Sequence, residues 1–157
     1  MVKADKGATM SRLHSAARLS RTALAARLLN HGFYAGQDQI MLALDHEDGQ
    51  TPGQLAARLG VRPPTITKTI NRLQVQGFLD KRASEIDARQ ANIFLTNTGR
   101  EAIRAIEKSV RKTEKQALKG LDKKEQKALS KLLSRVEANL TNGQAIEVED
   151  DAAEAEE

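Results

Sequence analysis

The stretch that most constrains this chain is TPGQLAARLGVRPPTITKTINRLQVQG, from Thr51 to Gly77, because it has room for two short helices, a tight turn and little else. Thr51 and Gln54 have the spacing of a capping box, and Pro52 falls at the first helical position, where its missing N–H leaves no bond unmade. Gly60 closes that helix and permits the positive φ of a tight turn. The next helix opens on Pro63 and Pro64, which occupy a first turn without losing an intrahelical bond. Ile66, Ile70 and Leu73 fall at i, i+4 and i+7 and form its inward stripe, and Gly77 ends it. Pro63, Pro64, Thr67, Lys68 and Asn71 are then left on or beside an outer face.

Two short helices joined this way outline a helix-turn-helix. Ala56 is small enough for close helix contact, and Val61 and Ile66 are placed to lock the pair through apolar packing. An ordinary helical hairpin would share the Ala and Gly, but the next segment separates the two. In FLDKRASEIDARQANIFLT the period changes from helical to alternating, so FLDKR and ANIFLT are expected to pair as a hairpin with a charged tip near SEIDAR. A hairpin directly after the second helix makes the unit a winged helix-turn-helix.

Flanking segments read as helices. Residues 1–10 look like a loose leader, with Ser11 as the expected cap of a helix running to Asn30 that carries Leu13, Ala17, Leu24 and Leu28 on one face. A shorter helix with Ile40, Met41 and Leu44 inward ends at the turn signal Asp48-Gly49. After the hairpin, Thr98 with Glu101 suggests the cap of a long helix stopped by Gly120. Asp122 with Glu125 caps a last one, with Leu129, Leu132, Leu133, Val136 and Leu140 as its apolar stripe. The expected fold is mainly α with a small β-hairpin wing, and its apolar terminal helices exceed what a short winged domain can cover, which points to an interface.

Composition narrows the function classes. The only aromatics are Phe33, Tyr34, Phe78 and Phe94, so Leu, Ile, Val and Ala must build the core, as helix packing prefers. With no cysteine, disulfides, thiolate zinc sites and thiol redox sensing are excluded. No apolar run nears the ~20 residues of a membrane span, so a soluble intracellular protein with no membrane partner is expected. From Glu147 onward the chain has seven acids and no base; without them 25 bases face 14 acids, a balance of +11. A basic body points to a polyanionic partner, and residues 142–157 read as an acidic, disordered tail that aids solubility. Between Gly53 and Arg82 stand Arg58, Arg62, Lys68, Arg72, Lys81 and Arg82 against Asp80 alone. In a major groove about 12 Å wide, Thr65 and Thr67 would meet thymine methyls or phosphates, Asn71 would pair with adenine, and Arg62, Lys68 and Arg72 would neutralise phosphates.

The helix-turn-helix, NRLQVQGFLDKR, the wing-tip DAR and LTNTG together resemble the core of the multiple-antibiotic-resistance-regulator (MarR) family of bacterial transcription factors. The resemblance covers residues 11–141 and is most specific from Thr51 to Gly99. It implies a homodimer with a helix-turn-helix at 53–76, a wing at 78–96 and dimerisation helices at 11–31 and 98–140, bound in the bacterial cytoplasm to a pseudo-palindromic operator in double-stranded DNA. Arg89 matches the wing arginine that enters the minor groove, Asp87 the acid that orients it, and Lys81 and Arg82 lie on the same hairpin. Where many relatives carry Arg, this chain has Lys68, a point charge without a bidentate fork, which is expected to bind phosphate and not to read guanine. Many relatives release DNA on binding a small phenolic or aromatic acid between the two lobes; Leu28, Phe33, Tyr34 and Met41 are the residues expected to line such a cavity.

His14, His31 and His46 lack any metal-ligand spacing, and neither a metal nor another cofactor is expected. No nucleophile–base arrangement suggests an enzyme. The competing class is a winged-helix module that binds DNA without sequence choice, or an acidic protein, through the same basic face.

Overall fold

The computed structural model describes residues 6–143, and the chain divides into two units, residues 1–117 and residues 118–157. Of the expected acidic tail, residues 144–157 lie outside the described residues, whereas Asn142 and Gly143 belong to the last helix. In the first unit, α1 (Ala8–Leu29), α2 (Gln37–His46), α3 (Pro52–Leu59) and α4 (Pro63–Val75) precede a hairpin of β1 (Leu79–Ala83) and β2 (Ala91–Leu95), and α5 (Asn97–Ala117) follows. The strands are antiparallel, with Leu79 opposite Leu95 and Ala83 opposite Ala91. The architecture is the expected one, mainly helical with a two-stranded wing, and α1 packs along α5.

The helix-turn-helix follows its sequence signals closely. Thr51 Oγ1 accepts from the Gln54 N–H at 3.2 Å while Gln54 Oε1 accepts from the Thr51 N–H at 2.9 Å, the reciprocal capping box. Gly60 has φ +63, and the Val61 N–H returns to the Ala56 carbonyl. Pro63 and Pro64 sit in the first turn of α4, and Ile66, Ile70 and Leu73 are buried. These three join a core that holds Leu28 and Phe33 from the α1 side, Ile40, Met41 and Leu44 of α2, Leu55, Ile93 of the wing, and Ile103 and Ile106 of α5. Val61 packs on the same cluster.

The hairpin is tied to the base of α3. The Gly49 N–H donates to the Ile93 carbonyl and the Ile93 N–H to the Gln50 carbonyl, so Gln50 forms a one-residue bridge on the free edge of β2. Asp48 Oδ1 accepts the Leu95 N–H at 3.0 Å, and Asp48 Oδ2 meets the Arg100 guanidinium at 3.2 Å. The wing therefore rises from a root fixed to the segment that starts α3.

Two helix starts differ from the sequence expectation. α1 begins at Ala8 with Gly7 as its cap, so Ser11 is an interior residue whose N–H bonds back to the Gly7 carbonyl. α5 is capped by Thr96 and not by Thr98: Thr96 Oγ1 accepts the Gly99 N–H at 3.0 Å and itself donates to the Gly77 carbonyl at 2.6 Å. The tie to Gly77 is what selects Thr96, since it joins the start of α5 to the turn that follows α4. Gly99 is required next to it, because a Cβ there would run into the Phe78 carbonyl.

The second unit contains α6 (Lys123–Gly143). Its start has the expected box, with Asp122 Oδ1 accepting the Glu125 N–H at 2.8 Å and Glu125 Oε1 the Asp122 N–H at 3.1 Å. Leu129, Leu132, Leu133 and Leu140 are exposed in the single chain.

Candidate nucleic-acid interface

Burial of Ile66, Ile70 and Leu73 fixes how α4 is rotated, and rotation decides which side chains it offers outward. Arg62, Pro63, Pro64, Thr65, Thr67, Lys68, Asn71 and Arg72 are all exposed. The first turn presents exposed proline rings and no spare N–H from Pro63 or Pro64. Thr67 Oγ1 donates to the Pro63 carbonyl at 3.1 Å. Its hydroxyl is thereby occupied within the helix, and its methyl is the part left for an outside partner. Arg62 caps the helix by its backbone alone.

Wing and helix are joined by a charge-assisted bond: Lys81 Nζ donates to Asn71 Oδ1 at 2.7 Å. The bond orients the Asn71 amide so that its N–H₂ donors remain free for an acceptor. Arg82, adjacent in the strand, points to the opposite face of the hairpin, as strand alternation requires. There it lies 3.6 Å from the Asp80 carboxylate and 4.5 Å above the Phe94 ring. The six cations between Gly53 and Arg82 are therefore not one set. Arg58 pairs with Glu47 at 3.6 Å and Arg82 with Asp80, whereas Arg62, Lys68, Arg72 and Lys81 carry no ion pair among the described residues.

At the wing tip Ser84 Oγ accepts the N–H groups of Ile86 and Asp87, and the Gln90 N–H returns to the Asp87 carbonyl. Asp87 Oδ1 accepts the Arg89 backbone N–H at 3.0 Å. The acid thus restrains Arg89 through the main chain, and no ion pair forms with the guanidinium among the described residues. Arg89 is exposed to solvent on a loop whose backbone is pinned at both sides, so it is aimed without being neutralised.

The expected small-molecule cavity is corrected. Leu28, Phe33 and Met41 are sealed in the core at 1%, 2% and 0% exposure, and Phe33 stacks against Phe78 with centroids 4.9 Å apart. The apolar periodicity that suggested them is satisfied by packing. Of the four, Tyr34 alone lines an open cavity, one of about 700 Å³ that it shares with Gln37, Lys68, Asn71, Arg72, Val75 and Gln76. Sequence reasoning missed Gln37, Val75 and Gln76 here. The signal was present in part, since Lys68, Arg72, Val75 and Gln76 recur at helical spacing on one side of α4. Nothing in the sequence, however, set α2 against that side.

Asp38, buried in the first turn of α2, has its carboxyl raised above the usual 3.8 by burial, against the lowering effect of backbone N–H groups from Asp38, Gln39 and Gly36. Among the described residues no three His, Cys, Asp or Glu side chains gather as a metal site, and no helix is long and apolar enough to cross a membrane.

Comparison with known proteins places these features. Residues 37–90 match the model of the MarR family. A curated helix-turn-helix-type transcriptional regulator of Mycobacterium bovis, described as uncharacterised, is 38% identical over 69 residues, which are 44% of this chain and 48% of that protein. A Mycobacterium leprae relative with the same description is 36% identical over the same extent. The chain thus spans about half the length of the curated relatives it matches. Among solved structures, the transcriptional regulator SlyA superposes with TM-score 0.78 at 20% identity, covering 86% of this chain and 95% of SlyA. A mutant MarR from E. coli, complexed with operator DNA, gives TM-score 0.76 at 22% identity over 83% of this chain and 95% of that one. These likenesses establish the fold.

Proposed function

We propose, from the match of residues 37–90 to the MarR family model, that the chain is a dimeric MarR-type regulator that reads a pseudo-palindromic operator in double-stranded DNA. The observation that carries the proposal is the outer face of α4. It is free of core duty, carries unpaired cations and hydrogen-bonding side chains, and stands beside a wing that ends in an unneutralised Arg89.

Each residue then has a role set by its chemistry. The Thr67 methyl meets a thymine methyl, and Asn71 donates to base-edge acceptors such as purine N7. Thr65 at the third position of α4 and the Pro63–Pro64 turn lie against the backbone, and Arg62, Lys68, Arg72 and Lys81 neutralise phosphates. Arg89 enters the minor groove, where a narrow groove concentrates negative potential, and Asp87 holds the loop that aims it. Arg82 steadies the wing from its far face. The apolar faces of residues 11–31 and 98–140 form the dimerisation lobe, and the exposed leucines of α6 support that assignment. A small aromatic or phenolic acid suits the cavity beside α4: Tyr34 and Val75 offer apolar surface, and Lys68 and Arg72 offer charge. Its occupant would cover Lys68, Asn71 and Arg72, so ligand and DNA compete. The working compartment is the bacterial cytoplasm, with the nucleoid as its bound location.

The test is binding to a duplex selected by the protein itself from random sequence. Arg89→Ala should weaken that binding, and unchanged affinity would remove Arg89 from the contact set. Equal wild-type affinity for unrelated duplexes would favour a packaging role over regulation.

A further inference from the structure

We propose that Gln37 and Gln76 form a directional hydrogen-bond clamp that positions α4 for sequence reading by fixing its C-terminal end to the turn between α1 and α2. The inference rests on the reading of α4 as a DNA-reading helix. Three bonds make up the clamp. The Tyr34 N–H donates to Gln37 Oε1 at 2.9 Å, Gln37 Nε2 donates to Gln76 Oε1 at 2.9 Å, and Gln76 Nε2 donates to the Gly32 carbonyl at 3.1 Å. The chain of donors starts on a backbone N–H, which only donates, and ends on a backbone carbonyl, which only accepts. Both amide orientations are therefore fixed by the backbone, and flipping either side chain loses bonds at both of its ends.

The location gives the clamp its role. Gln37 is the first residue of α2 and is 1% exposed, so its amide has no water to fall back on. Gln76 is the residue that ends α4, and its N–H closes the helix on the Arg72 carbonyl. Elsewhere α4 is held by the exposed Lys81–Asn71 bond to the wing and by apolar contacts of Ile66, Ile70 and Leu73, which fix depth and rotation but resist sliding and tilting less sharply than a directional bond. The clamp adds a directional restraint at the end of the helix away from its proline turn, on the side of α2 and not of the wing. Phosphate contacts tolerate a small tilt, since they are long-range and sequence-independent; base-edge contacts do not. Loss of the clamp should therefore reduce discrimination more than general affinity. Both glutamines also wall the cavity with Tyr34, Lys68 and Arg72, so a bound molecule there sits directly against the restraint.

The experiment measures binding of two duplexes, the one selected from random sequence and an unrelated one of equal length, to the full chain and its variants. Gln37→Met and Gln76→Met should each weaken binding of the selected duplex on the order of tenfold, with under about twofold change on the unrelated one. The double variant should lose no more than either single one, because one broken link disables the relay. Gln37→Glu adds a readout that packing alone would not move. Ionised, the introduced carboxylate can only accept, and the link to Gln76 Oε1 is lost; protonated, the introduced acid accepts from Tyr34 and donates to Gln76, restoring the relay. Burial favours the acid form, while Lys68 and Arg72 on the same cavity wall favour the carboxylate, with Asp38 adjacent in sequence. The affinity of the Gln37→Glu variant relative to wild type, followed from about pH 8 down to about pH 4, should rise towards one. Additive losses in the double variant, equal losses on both duplexes, or a flat pH profile for Gln37→Glu would overturn the clamp while leaving DNA reading intact. Wild-type protein that binds both duplexes equally would overturn the reading and the clamp together.

Discussion

Salt dependence offers a sharp quantitative check, because the structure decides which cations are free to meet phosphate. Seven basic residues stand on the helix-turn-helix and wing: Arg58, Arg62, Lys68, Arg72, Lys81, Arg82 and Arg89. Arg58 is paired with Glu47, and Arg82 is held between Asp80 and Phe94. Five remain per protomer and ten per dimer. Counterion release then gives a slope of log affinity against log salt of about −9, whereas counting all seven gives about −13. Between about 50 and 200 mM salt the smaller slope means an affinity loss of roughly 10⁵-fold. Arg89→Ala removes two contacts per dimer and should bring the slope to about −7, while Arg82→Ala should leave it near −9. The assay is fluorescence anisotropy of a labelled duplex at four or more salt concentrations. A wild-type slope near −13 that becomes shallower in Arg82→Ala would refute the partition of cations read from the ion pairs. A slope near zero would refute phosphate binding altogether.

Other outcomes follow from single contacts. Gly99→Ala gains about 1 kcal/mol of helix propensity but forces a methyl against the Phe78 carbonyl, a backbone atom that cannot rotate aside. Overpacking should win, with a net loss of about 1–3 kcal/mol in urea denaturation at unchanged m; equal or greater stability would contradict the close approach. For Asp38, a native pKa raised above the usual 3.8 means that the stability linked to its proton is full below 3.8 and is lost as pH rises through the elevated native value. Asp38→Asn should therefore stabilise the protein more at about pH 7 than at about pH 3.5, and an equal gain at both would show that burial is not the cause. The exposed leucines of α6 should be covered by a second copy in solution, so sedimentation at micromolar concentration should give a dimer mass. A monomer there would remove the dimer from the proposal.

Much of the fold was legible because its signals are local. The Thr51–Gln54 box, the prolines opening α4 and the Ile66–Ile70–Leu73 stripe each need only a few residues of context, and all three appear as expected. The misreadings share a different cause: a distant segment chose between two local options. Thr98 with Glu101 has the better capping pattern, yet Thr96 wins because its hydroxyl also reaches the Gly77 carbonyl. Leu28, Phe33 and Met41 looked available for a ligand until Phe78 and the rest of the core closed on them. Arg82, expected on the wing beside Lys81, lies over the Phe94 ring, a partner 12 residues away that local pattern did not announce. The Gln37–Gln76 link spans 39 residues and has no periodicity, so no pattern in the chain announces it.

Selection of bound duplexes from random-sequence DNA tests the central claim most directly, since it examines reading and symmetry at once. Two recognition helices related by a two-fold axis should enrich inverted half-sites centred about 10 bp apart. Recovered sequences with no shared motif, or with a single unrepeated half-site, would contradict a dimer that reads an operator.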